Sequence, residues 1–99
     1  MEEVKLEVND HGDGAFYLFA NDQIAAKMLV GVFPAKLNVY HTEAMIEGKG
    51  YAKKLLETMV AYAREHNLKV IPYCPYVQAQ FKRHPDQYAD IWNQERQSH

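Results

Sequence analysis

Val4, Leu6 and Val8 alternate with Lys5, Glu7 and Asn9 at the start of the chain. That period of two predicts a strand with one buried face. Asp10–Gly14 (Asp-His-Gly-Asp-Gly) then predicts a turn, because glycine supplies positive φ and aspartate tolerates it. The aromatic-rich run Ala15–Ala20 predicts a second strand. Asn21-Asp22 predicts a tight hairpin connection into a third strand over Ile24–Val32. Phe33–Lys36 interrupts it, and Leu37–Glu43 predicts a fourth strand that places Leu37, Val39, His41 and Glu43 on one face.

Ala52, Leu55, Leu56, Met59, Val60 and Ala63 recur at spacings of three and four, one continuous stripe on an α-helix. Lys53, Lys54, Glu57, Arg64 and Glu65 cover the rest of its surface. Asn67 is a good stop, since asparagine tolerates the left-handed conformation that closes many helices. Leu68–Tyr73 predicts a fifth strand, and Pro72, which lacks an amide hydrogen, requires it to be unpaired on one side near its end. Tyr76–Arg83 predicts a short helix, and Pro85–Trp92 a further one with Tyr88, Ile91 and Trp92 turned inward. The order predicts an α+β domain: a mixed, mostly antiparallel five-stranded sheet with helices packed on it. Its strand–helix–strand unit should be parallel and right-handed.

Ninety-nine residues make one domain, since either half alone would lack a sufficient core. Residues 1–92 are assigned to it, and 93–99 to a polar tail. The net charge of -2, with both signs mixed along the chain, argues against a nucleic-acid-binding surface. Glu2, Glu3, Lys5 and Glu7 interrupt any signal-peptide pattern. The most apolar stretch, Ile24–Ala35, contains Lys27 and Pro34 and falls far short of the ~20 residues of a membrane span. The single cysteine, Cys74, has no internal disulfide partner, which points to a reducing, cytoplasmic setting. His11, His66, His84 and His99 are scattered, without the paired spacing of a zinc site, so no metal is expected.

Glu47-Gly48-Lys49-Gly50-Tyr51-Ala52 stands between a strand and the strongest helix. Four backbone amides at a helix start have no internal partner, and the helix dipole adds partial positive charge there. Gly48 and Gly50 allow close approach of backbone to a ligand, and Lys49, Lys53 and Lys54 add positive charge. Together these features suit a phosphate or pyrophosphate, although two glycines before a helix are more often a plain turn. The loop is neither a P-loop, lacking Gly-Lys-Ser/Thr, nor the dinucleotide fingerprint, lacking the third glycine.

A strand ending in His-Thr-Glu, followed by Glu-Gly-Lys-Gly-Tyr-Ala-Lys-Lys-Leu-Leu, an amphipathic helix and a short strand, resembles the acetyl-CoA signature of the GNAT superfamily. The family motif is Gln/Arg-x-x-Gly-x-Gly/Ala, and Glu47, Gly50 and Ala52 occupy its positions. The span His41–Tyr88 resembles the short, stand-alone N-acetyltransferase-domain branch (YjdJ-like proteins). The resemblance implies that the fourth and fifth strands splay to admit the pantetheine of coenzyme A. It implies pyrophosphate contacts from Gly48, Lys49, Gly50, Tyr51, Ala52 and Lys53, and pantetheine along Ala44, Met45 and Ile46. Two features depart from the family. Glu47 puts a carboxylate where Gln or Arg is usual, and Asp10–Gly14 stands where many members have two helices that help form the acceptor pocket.

Acetyl transfer from a thioester to an amine needs a deprotonated amine, a polarised carbonyl and a protonated leaving thiolate. In the family the fourth strand often carries the base, which points to His41 and Glu43. Histidine is favoured, because its intrinsic pKa of ~6.5 lies close to working pH. The plainer reading makes Glu43 an acceptor for the following loop and His41 a packed polar residue. Cys74 is expected near the thioester as the acid, or as an acyl-accepting nucleophile if His41 lies beside it. A small buried hydrophobe is its plainer reading. The last-helix tyrosine that many members use as the acid is missing beside Phe81-Lys82, leaving Tyr73 and Tyr76 as substitutes. The expectation is a monomeric N-acetyltransferase using acetyl-CoA and a small-molecule or protein amine. The alternatives are a non-catalytic coenzyme-A-binding or protein-interaction domain, and a cysteine hydrolase, which would lack any orienting acid for His41 beyond Glu43.

Overall fold

The computed structural model describes residues 2–93. Five strands form one sheet in sequence order: β1 (Glu2–Val8), β2 (Asp13–Ala20), β3 (Gln23–Phe33), β4 (Lys36–Ala44) and β5 (Lys69–Pro72). The first three pairings are antiparallel and β4–β5 is parallel. Helix α1 (Tyr51–Glu65) crosses between β4 and β5, and α2 (Pro75–Arg83) and α3 (Pro85–Tyr88) follow.

Local chemistry accounts for the connections. Asn9 Oδ1 accepts the N–H groups of His11 at 2.8 Å and Asp13 at 3.1 Å, organising the β1–β2 turn. Asn21 and Asp22 both take positive φ, 54° and 65°, as a two-residue hairpin that matches strand twist requires. Asn67, at φ 57°, closes α1. Beside it the Leu68 N–H donates to Ala63 O at 2.8 Å and the Asn67 N–H to Arg64 O at 3.3 Å, the paired bonds of a Schellman ending.

One face of the sheet carries the helices. Phe16, Leu18, Met28, Val30, Leu37, Val39 and Val70 are buried there against Leu55, Leu56, Met59 and Val60 of α1. The α1 stripe matches the predicted one except that Tyr51 replaces Ala52 as its first buried residue. Val77 and Phe81 of α2 join the same core. The Phe81 ring stacks on Tyr88 at 4.6 Å and meets the edge of Trp92 at 5.6 Å.

The second predicted helix, Pro85–Trp92, is realised only over Pro85–Tyr88. Backbone pairing with β5 wins beyond that point. The Val70 N–H donates to Ile91 O at 2.6 Å and the Asn93 N–H to Val70 O at 3.0 Å, which makes Trp92 a parallel bridge partner of Val70. Arg64 fastens the turn through Asp90 and the Gln87 carbonyl. The expected polar tail thus begins with a residue held by the sheet, and from 94 onward it lies outside the described residues.

Strand β4 departs from simple alternation. Leu29 pairs with His41 and Val30 with Val39, so Tyr40 is an extra residue, a β-bulge. Before it, Leu37 and Val39 face the core, as predicted. After it the phase reverses, with Thr42 opposite buried Met28 and Ala44 opposite buried Ala26. His41 and Glu43 therefore lie on the outer face, not on the face of Leu37 and Val39. One inserted residue moves every later side chain to the other side of the sheet.

Candidate functional site

β4 and β5 pair from Lys36–Lys69 to Val39–Pro72 and then separate. The Val39 carbonyl accepts the N–H of both Tyr73, at 2.9 Å, and Cys74, at 3.0 Å, ending the ladder. Gln78 Nε2 donates to the Pro72 carbonyl at 2.9 Å, and Pro75 opens α2 at once. β5 gives way to α2 while β4 runs on through Tyr40–Ala44, so the ladder forks, with Cys74–Thr42 and Tyr73–Tyr40 in contact across the fork.

At the far end of β4 the chain enters the glycine loop, exposed from Met45 to Gly50. Gly48 and Gly50 take φ of 82° and 72°, and Gly50 is the N-cap of α1. A Cβ at either position would meet nothing within 4 Å, so backbone conformation, not crowding, demands glycine there. The first bond of α1 runs from the Lys54 N–H to Gly50 O, and no side chain caps the helix. Among the described residues, the N–H groups of Gly48, Lys49, Gly50, Tyr51, Ala52 and Lys53 have no acceptor. Left-handed glycines alternating with ordinary residues turn such amides toward a common point, an anion-binding concavity. Buried Tyr51 anchors the loop to the core.

Lysine charge is distributed unevenly here. Lys54 is ion-paired with Glu2 at the start of β1. That bond raises the Lys54 pKa and lowers that of Glu2. Among the described residues, Lys49 and Lys53 are exposed without a carboxylate partner, and Glu47 is exposed without a cationic one.

His41 and Glu43, two residues apart on the outer face, meet with Nε2 3.0 Å from Oε1, both exposed. An ionised carboxylate only accepts, so in this contact Nε2 is the donor, and in the neutral imidazole that leaves the lone pair on Nδ1. That is the geometry of a base oriented by an acid.

Cys74 lies elsewhere. It is buried, and its Sγ–H donates to Thr42 Oγ1 at 3.3 Å, on the core side of β4. His41 is on the opposite side, so the expected placement of His41 beside Cys74 is not realised. The bulge at Tyr40 is the cause. Of the two substitute tyrosines, Tyr73 is exposed at the fork, stacked on Tyr40 with ring centroids 5.8 Å apart. Tyr76 is on the helix side, where burial raises its pKa.

Ala44 is half-buried, and Met45 and Ile46 present exposed apolar side chains between the fork and the glycine loop. The residues missed by sequence reasoning are Tyr40, Thr42 and Glu2. Their roles depend on a bulge and on a pairing across 52 positions, which no local pattern announces. No helix among the described residues is long and apolar enough to cross a membrane, and no cluster of His, Cys, Asp or Glu among them could hold a metal ion.

Residues 15–91 match the family model described as GCN5-related N-acetyl-transferase. No curated protein matches the chain significantly. Among solved structures, the fold is similar to the crystal structure of a ribosomal-protein-alanine N-acetyltransferase from Brucella melitensis biovar Abortus 2308, with a TM-score of 0.60 at 20% sequence identity. The match covers 79% of this chain and 62% of that one.

Proposed function

The chain belongs to the GCN5-related N-acetyltransferase family, and from that premise we propose that it binds acetyl-CoA and transfers the acetyl group to an amine. Membership supports an acyltransferase in general terms. The observation that carries the finer reading is the row of acceptorless N–H groups over residues 48–53 at the head of α1, in a loop exposed from Met45 to Gly50. These amides would hold the diphosphate, aided by the helix dipole and by Lys49 and Lys53. Ala44, Met45 and Ile46 would lie along the pantetheine, and the fork beyond Val39 would receive the thioester end.

Acetyl-CoA, when bound, supplies the activated acetyl group as a thioester. The chain supplies proton handling and position. His41 Nδ1 takes the proton of the incoming amine, and Glu43 holds the imidazole and balances its positive charge. Direct attack by the amine is favoured over a relay through Cys74, because the thiol faces Thr42 and not the imidazole. Tyr73, exposed at the fork, is the better placed of the two tyrosines to protonate the leaving thiolate.

The same reading assigns the protein to the YjdJ-like branch of the family, working in the cytoplasm as a monomer. A second reading, a coenzyme-A-binding domain without turnover, is favoured by one feature, the sheet face bearing His41 with no helix over it among the described residues. Calorimetric titration with acetyl-CoA and coenzyme A release over an amine panel separate the two. Heat without release supports the binding domain, and absence of both overturns the cofactor assignment.

A further inference from the structure

The outer face of the sheet carries an aromatic surface whose role is not accounted for by cofactor binding. The bulge places Tyr40 and His41 consecutively on this face, since Tyr40 shares it with Asn38 and His41 with Leu29. Tyr40 extends over β3, where a Cβ on Gly31 would come within 2.8 Å of its hydroxyl, and Asn38 Nδ2 donates to that hydroxyl at 3.2 Å. Its ring stacks on Tyr73 from the other arm of the fork, with an interplanar angle of 18°. Although clamped in this way, the two tyrosines remain 42% and 49% exposed.

Resting on the transferase reading, we propose that the Tyr40–Tyr73 pair is the platform for the acceptor, which is a primary amine on an unbranched aliphatic stem. The stem lies on the rings and the nitrogen reaches the His41–Glu43 pair next to them. Three features select this chemistry. Tyr40 and His41 are consecutive residues on the same face, so an extended aliphatic chain can touch the ring and the imidazole together. The rings offer an apolar surface to the aliphatic stem, and Glu43 supplies the charge opposite to the ammonium at its end. Glu3 and Glu7 on the same face, against Lys5 and Lys27, leave it unsuited to a polyanion.

The test is chemical-shift titration of the full chain with coenzyme A present, using methylamine, propylamine, butylamine and hexylamine. Affinity is expected to rise about two- to fourfold per methylene, as partial to full burial of each would give, with shifts at Tyr40, His41 and Tyr73. Tyr73→Ala should flatten the series, Tyr73→Phe should keep it, and Tyr17→Ala, on β2 of the same face, should leave it unchanged. Given that dependence, Nα-acetyl-lysine methylamide binding at least as well as butylamine assigns the stem to a protein side chain, and weaker binding assigns it to a free amine. Length-independent affinity, no binding, or an unflattened series in Tyr73→Ala overturns the platform. Calorimetry with acetyl-CoA alone reports separately on the transferase reading, and the amine series can be repeated without coenzyme A.

Discussion

Cys74 Sγ lies 3.3 Å from Thr42 Oγ1, on the side of β4 opposite His41. A thiol held this way is neither exposed nor next to a base, and both conditions normally accompany a reactive cysteine. Iodoacetamide should therefore modify Cys74 at least tenfold more slowly than a free cysteine. Cys74→Ala should retain amine acetylation to within about tenfold, less than loss of a working general base would cost. An acetyl adduct on intact protein that forms with acetyl-CoA and decays on adding amine would restore the relay.

Gly50 gives a prediction in which binding and folding come apart. At φ 72° a valine costs about 1–3 kcal/mol in backbone strain, within the ~5–15 kcal/mol that holds a small domain folded. Its side chain would project into open space beside the loop. Gly50→Val should leave the circular dichroism spectrum intact, lower Tm, and weaken acetyl-CoA at least tenfold by calorimetry. Unchanged affinity would remove the loop from the site.

For His41, the expected loss on replacement by alanine is about 10²- to 10⁴-fold in kcat/KM for the amine, with acetyl-CoA affinity kept. Glu43→Gln should cost less, because the imidazole survives but loses the carboxylate that fixes its tautomer. Activity in His41→Ala within about tenfold of the unmodified protein would assign the base elsewhere.

Asp90 ties α1 to the closing turn and predicts an acid-side stability effect. Its hydrogen bond from Arg64 lowers its pKa and raises that of Arg64. A carboxyl group with a depressed folded pKa stabilises above the ordinary aspartate value of ~3.9, and the contribution is lost as pH falls through the lowered value. Both side chains are largely exposed, so the effect is small. Asp90→Asn should lower Tm by a few degrees at most at pH 7 and converge with the unmodified protein near pH 2. Equal Tm values throughout would mean the pair is without consequence.

The chain's own letters determined its elements. Alternation in Val4–Val8, the three-and-four spacing from Leu55 to Ala63, and the turn residues Asn21, Asp22 and Asn67 specify local conformations by sterics within a few positions. Order and type of element then left few arrangements open, and the glycine loop before α1 was legible because positive φ and a helix start are local properties. What faces what was decided only in three dimensions. The Tyr40 bulge depends on how β4 pairs with β3, yet it sets the side of the sheet that His41, Thr42 and Glu43 occupy. It separates His41 from Cys74, joins Cys74 to Thr42, and brings Tyr40 to Tyr73 across the fork. Trp92 likewise left its predicted helix because the edge of β5 offered its backbone partners. Strand pairing is a contest among distant segments for hydrogen bonds and burial, and a single inserted residue reverses its outcome, so no reading of neighbours along the chain could have supplied it.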